Sequence, residues 1–82
     1  MYMLEENPTH QGERMIGKNR RIRIFLVDSH DLERIGMRIV LEKEGDVAVV
    51  GEERSWQAAS AKIQRLRPDL VVMDLSTSET EH

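Results

Sequence analysis

The sequence predicts an α/β domain built on a parallel sheet. Three short runs of β-branched and aliphatic residues, Ile22–Val27, Val47-Ala48-Val49-Val50 and Leu70-Val71-Val72-Met73, alternate with two segments whose apolar residues recur at helical spacing. Strands alternating with helices of that length imply right-handed crossovers between parallel neighbours. Two of the three runs stop abruptly on an aspartate, Asp28 and Asp74.

Each element has a local reason. Ile22–Val27 is apolar at nearly every position, the pattern of a strand buried on both faces. Leu32, Ile35, Gly36, Ile39, Val40 and Lys43 fall at i, i+3, i+4, i+7, i+8 and i+11, which predicts an amphipathic helix over residues 31–44 with its apolar stripe toward a core. Gly45 follows where a left-handed C-cap glycine belongs. Residues 47–50 form a second strand closed by Gly51. Ser55 is placed to cap a second helix whose stripe is Trp56, Ala59, Ile63 and Leu66. Pro68 ends it, because proline disfavours helical geometry at the residue before it. Residues 70–73 form the third strand.

The ends divide from this block. Residues 1–20, with Asn7-Pro8, Gly12 and Gly17 and no sustained period, are expected as a flexible N-terminal extension, and Met15 is a candidate alternative start. Residues 21–76 form the partial domain, and 77–82 a polar tail. The third strand is then expected to leave one edge unpaired, so that the chain is unstable or forms dimers or oligomers through that edge.

Composition narrows the function classes. The net charge of −3 is too small to suggest a nucleic-acid or membrane surface as partner. There is no cysteine, which excludes disulfides and cysteine-zinc sites and fits a cytoplasmic location. The apolar runs fall far short of the ~20 residues of a membrane-spanning helix, and the amino terminus has no signal-peptide core.

The two aspartates carry the chemistry. In an open parallel sheet, ligands bind beyond the carboxyl ends of the strands, where neighbouring connections diverge. If the first and third strands are neighbours, Asp28 and Asp74 project into one crevice about 5 Å apart; spacing in sequence does not by itself fix the strand order. Two carboxylates that close repel unless a hard cation lies between them, and Mg²⁺ suits oxygen ligands shared with phosphate. Such an ion would also let a carboxylate attack a phosphoryl group. A lone aspartate at a strand end is ordinarily a turn or cap residue; two, each directly after a buried strand, favour a site.

The stretch IRIFLVDSHDLERIGMRIVLEKEGDVAVVGE followed by LRPDLVVMDLS resembles the receiver domain of response regulators, of the NarL/FixJ type. The resemblance is carried by Leu26-Val27-Asp28, His30, Arg34-Ile35-Gly36, Val49-Val50-Gly51-Glu52, Arg67-Pro68-Asp69 and Met73-Asp74-Leu75. It implies a flavodoxin-like fold, with only the first three strands and two helices present, and the strand order 2-1-3 among them. It implies a module of a two-component phosphorelay rather than an enzyme. Asp74 would accept a phosphoryl group from a sensor histidine kinase, Asp28 would hold Mg²⁺ with Asp74, and the backbone carbonyl of Ser76 would add a ligand. The DNA-binding output that such modules control is not in this segment.

Three departures from the family pattern matter. Ser29 stands where a second acid normally supplies a direct metal ligand, and a neutral hydroxyl binds Mg²⁺ much more weakly. Thr77-Ser78 replaces the usual Met-Pro. The switch Ser/Thr and the lysine that would contact the phosphoryl group lie on strands not present. A pseudo-receiver, sharing the fold but acting as a protein-interaction module without phosphorylation, is therefore the second reading.

Other motifs have plainer explanations. His30-Asp31 without further histidines in register does not make a metal phosphohydrolase, and Asp31 is better read as a helix cap. Asp74-Leu75-Ser76-Thr77 resembles a haloacid-dehalogenase nucleophile loop, but Ser76 stands where that chemistry needs an acid. Arg20, Arg21 and Arg23 make a solvated strand edge. Met37 and Trp56 pack or line a partner surface.

Overall fold

The computed structural model describes residues 2–6 and 20–75. Its elements are β1 (Tyr2–Glu6), β2 (Ile22–Val27), α1 (Asp31–Glu42), β3 (Val47–Glu53), α2 (Trp56–Leu66) and β4 (Leu70–Asp74). They form a four-stranded sheet in the order β1-β4-β2-β3. β2 pairs in parallel with both β3 and β4, which is the expected parallel α/β core with its first predicted strand in the centre. The chain steps from β2 to β3 on one side and then crosses back past β2 to β4. With right-handed crossovers, that reversal puts α1 and α2 on opposite faces of the sheet.

Burial on both faces explains the apolar run of β2. Phe25 and Val27 join Ala59 of α2 and Val71 and Met73 of β4 in one cluster, with Ile63 and Leu66 packed against it. Ile24 and Leu26, on the alternate side, are buried as well. Ser55 caps α2 as expected, its hydroxyl accepting from the Ala58 amide at 3.2 Å. The helix closes at Arg67, which takes a left-handed conformation (φ 51°) directly before Pro68. Asp69, fully buried, accepts the Arg23 amide at 2.8 Å, and its own amide donates to the Arg23 carbonyl at 2.8 Å. These bonds seat β4 against β2.

Several expectations need correction. Residues 2–6, placed in a flexible extension, are a strand: β1 pairs antiparallel with β4 in the register Tyr2↔Asp74 to Glu6↔Leu70. Residues 7–19 and 76–82 lie outside the described residues, including the polar tail and the Thr77-Ser78 loop. The β4 edge, expected to be open and to drive self-association, is thus occupied within the chain. Main-chain amides and carbonyls of a buried strand are costly to leave unpaired, and an extended segment from elsewhere in the chain satisfies them.

The first helix is present but turned. Leu32 (85% exposed), Ile35, Ile39 and Val40 (62%) face away from the sheet, and no residue of α1 is fully buried. Met37 and Leu41 are half-buried, and polar contacts tie the helix to the sheet: Arg34 Nε donates to Glu52 Oε1 at 2.8 Å, Arg34 reaches the Asp28 carbonyl at 2.7 Å, and Arg38 pairs with the other oxygen of Glu52. Gly45 is not a left-handed cap, since no glycine with positive φ occurs among the described residues; α1 ends through Lys43 in helical geometry. Nor is Asp31 the cap: it is the first helical residue, after His30.

Gly51 does not close β3, which continues to Glu53. It lies at the register shift where β3 passes from Val49↔Ile24 to Gly51↔Phe25. A Cβ there would meet Phe25 ring carbons at 2.5 and 2.9 Å, and the ring is fully buried. Gly51→Val is expected to destabilise the fold by about 1–3 kcal/mol, the usual cost of overpacking. Gly36→Ala, with nothing within 4 Å of the new methyl group, should instead stabilise by about 1 kcal/mol. Urea unfolding of both variants checks the pair, and equal midpoints would refute the close approach. Deleting residues 1–6 should lower the unfolding midpoint and promote concentration-dependent association. An unchanged midpoint, with sedimentation identical to that of the full chain, would show that β1 does not protect the edge.

Candidate functional site

The site lies where the connections diverge. β2 and β4 are adjacent and in register from Ile24↔Leu70 to Val27↔Met73, so the next residue of each, Asp28 and Asp74, comes level at one rim. α1 leaves β2 toward one face, and the chain reached β4 from the other, so among the described residues no connection crosses the crevice between these strand ends. Both aspartates are buried.

Local structure fixes Asp28 closely. Its amide donates to the Glu53 carbonyl at 3.0 Å, continuing the β2–β3 pairing. Its Oδ1 accepts the His30 amide at 2.8 Å, a side-chain turn that aspartate makes readily before a helix. Arg34 holds its carbonyl from α1. The ion pair of Arg34 with Glu52 therefore anchors the helix and steadies the backbone of the site. Burial alone would raise the Glu52 pKa, but hydrogen bonds from Arg34 and Arg38 outweigh it and hold the carboxyl below its ordinary range.

His30 completes the arrangement. Its Nδ1 lies 3.1 Å from Asp28 Oδ1, 3.6 Å from Asp74 Oδ2 and 3.9 Å from Glu33 Oε1. One ligand atom from each of Asp28, His30, Glu33 and Asp74 falls within 4.8 Å of the others. The hydrogen bond to Asp28, and then the charge of Glu33, raise the His30 pKa above 6.5.

Of the residues expected at the site, Asp28 and Asp74 are brought together. Ser29 follows Asp28, half-buried, and its carbonyl accepts a hydrogen bond from Arg54 at 3.3 Å. Ser76 lies outside the described residues. Glu33 was not foreseen, because on the helix it reads as an ordinary solvated acid. Its position three residues after a histidine that follows the first strand was the signal available. His30 was noticed only as part of a motif.

Response regulator protein VraR from Staphylococcus aureus strains Mu3 and COL is 44% identical to this chain over 54 residues. The aligned part is 66% of this chain and 26% of each relative. The chain is homologous to response regulators. This response-regulator homologue carries the β-α-β-α-β unit of a receiver fold, in the strand order that the resemblance implied. It spans about a quarter of the length of the curated relatives it matches. No protein-family model matches it, and neither does any solved structure. Among the described residues, no helix is long and apolar enough to cross a membrane.

The raised pKa of His30 sets a pH dependence. A histidine that titrates higher when folded than unfolded contributes stability that is fully present below pH 6.5 and is lost as pH rises through its folded value. In metal-free buffer, His30→Gln should therefore cost more stability at pH 5.5 than at pH 8.5. An equal cost at both pH values would mean that the imidazole does not engage the carboxylates.

Proposed function

We propose that this chain acts as a receiver module in two-component signalling, with Asp74 as the phosphoryl acceptor and a sensor histidine kinase as the donor. The observation that carries the reading is the meeting of Asp28 and Asp74 at one rim of adjacent parallel strands. The homology to response regulators supports it independently. In the transfer, an Asp74 carboxylate oxygen attacks phosphorus. The phosphorus–nitrogen bond of the donor phosphohistidine breaks, and its electron pair returns to the imidazole, which takes up a proton. In this reading the module is not an enzyme with turnover of its own. It works in the cytoplasm and serves the control of a DNA-binding output.

A divalent cation fits the donors present, since two buried carboxylates converge with Glu33 and His30 around one point. Asp28 and Asp74 would hold it, with the Ser76 carbonyl as a further candidate ligand. When bound, Mg²⁺ or a similar ion would screen the approach of one anion to another and the charge of the product. Asp28 is held in place by Arg34 at its carbonyl and by the His30 amide at its carboxylate, with a carboxylate oxygen within 4.8 Å of one of Asp74. Ser29, contributing no charge where the family has an acid, favours the alternative of a phosphorylation-independent interaction module.

Incubation with a small acyl phosphate and a divalent cation separates the readings. Phosphoacceptance predicts a mass increase of one phosphoryl group per chain, abolished by Asp74→Asn and reduced by Asp28→Asn. No increase with any divalent cation would leave the interaction module. An increase that survives Asp74→Asn would remove Asp74 from its role.

A further inference from the structure

The turn from β2 into α1, Asp28-Ser29-His30, carries one of the two rim carboxylates, and all three of its carbonyls are held by arginines. Arg34 Nη1 donates to the Asp28 carbonyl at 2.7 Å, Arg54 Nη2 to the Ser29 carbonyl at 3.3 Å, and the Arg34 amide to the His30 carbonyl at 2.9 Å. Both guanidinium groups then meet one carboxylate: Arg34 Nη1 lies 2.9 Å and Arg54 Nε 3.4 Å from Asp31 Oδ1. The assembly stands on β3, because Arg34 Nε pairs with Glu52 at 2.8 Å and Arg54 directly follows the last strand residue, Glu53. Asp31, which does not cap α1, thus joins an arginine of the helix to an arginine at the strand end.

Such bracing answers a local need. His30 stands at the N-cap of α1 without a side-chain cap bond, so the turn lacks the usual device that fixes a helix start. Repulsion between the carboxylates of Asp28 and Asp74 pushes the turn away from β4. Arginine suits the task of resisting it. A planar fork with five donors in fixed directions ties several acceptors at once, which the single ammonium of lysine does not. Arg34, 12% exposed at its side chain, engages the Asp28 carbonyl, Asp31 and Glu52 together. Arg54 is 67% exposed, and exposed ion pairs add little to global stability. Its contacts bear on the geometry of the turn rather than on the fold.

We propose that Arg34 and Arg54, bridged by Asp31, are positioning residues that clamp the Asp28-Ser29-His30 turn and so keep a carboxylate oxygen of Asp28 within 4.8 Å of one of Asp74. The use of the clamp in phosphoryl transfer rests on the receiver reading; the clamp itself is a property of the turn.

Two measurements on the full 82-residue chain test it: hydrogen exchange of the His30 amide in metal-free buffer, and the initial rate of phosphoryl uptake from a small acyl phosphate at saturating Mg²⁺. The His30 amide reports on the clamp because it donates to the Asp28 carboxylate, and this reading contains no donor whose attraction to the arginines could alter it. Arg54→Gln should speed the exchange and slow uptake by about threefold each, in keeping with an exposed pair, at an unchanged unfolding midpoint. Exchange at Phe25 and Leu26, buried in β2, should stay the same in that variant, whereas a general loss of stability would move it. Arg34→Lys, which leaves a charge for Glu52 but removes the fork, should change both quantities by about tenfold. Arg54→Gln decides the matter if the Arg34 variant does not fold. His30 exchange unchanged in Arg54→Gln would overturn the clamp, and with normal uptake would leave the receiver reading standing. Faster exchange with an unchanged uptake rate would overturn the positioning role. Faster exchange in the variant, when even the unsubstituted chain takes up no phosphoryl group, would support the clamp and sink the receiver function.

Discussion

Everything functional in this fold depends on the parallel pairing of β2 with β4. That register ends both strands at the same level, so that two carboxylates must share one rim. Placing two like charges there is unfavourable unless hydrogen bonds, a cation or an imidazolium balances them. The surroundings of Asp28 answer that requirement: the His30 amide and ring engage its carboxylate, and Arg34 takes its carbonyl. Asp69 supports the same pairing from the opposite end, where its buried carboxylate and amide both bond the main chain of Arg23. β2 and β4 are thus tied at their amino ends by Asp69 and converge in charge at their carboxyl ends.

The two helices are attached by different physics. α2 is held by burial, with Ala59 fully enclosed and Ile63 and Leu66 against the central cluster. α1 buries no side chain fully, and adds to its half-buried Met37 and Leu41 two arginines meeting one glutamate, partly screened from solvent. Such contacts are directional and worth less than an apolar interface of the same extent, so α1 is the weaker attachment. It is also the helix that carries His30 and Glu33 at its start, and the same arginine that anchors it reaches the backbone of Asp28. Helix docking and site geometry are therefore coupled through Arg34.

The parts of the fold visible in the sequence were those with a strong local cause. The apolar runs of β2 and β4 reflect burial on both faces, and Ser55 and Pro68 bracket α2 through capping and ring sterics. What escaped prediction depended on partners distant in the chain. β1 has no periodic pattern of its own, and becomes a strand because β4 offers it unpaired main-chain groups. The stripe on α1 was correctly periodic, but periodicity says only that a face is apolar, not that something covers it. Gly51 reads as a strand end until Phe25 is placed beside it. At the site, the two aspartates were legible because each follows a buried strand. Glu33 was not, because a helical acid is chemically informative only once its neighbour across the crevice is known.

The most direct test of this account is the measurement of cross-strand nuclear Overhauser effects in the isotope-labelled chain. Main-chain contacts in a parallel pattern that link Val27 to Met73 and Phe25 to Val71, with Asp28 and Asp74 following level, are the predicted result. Contacts showing β3 between β2 and β4, or a register that separates the two aspartates by a residue pair or more, would contradict it.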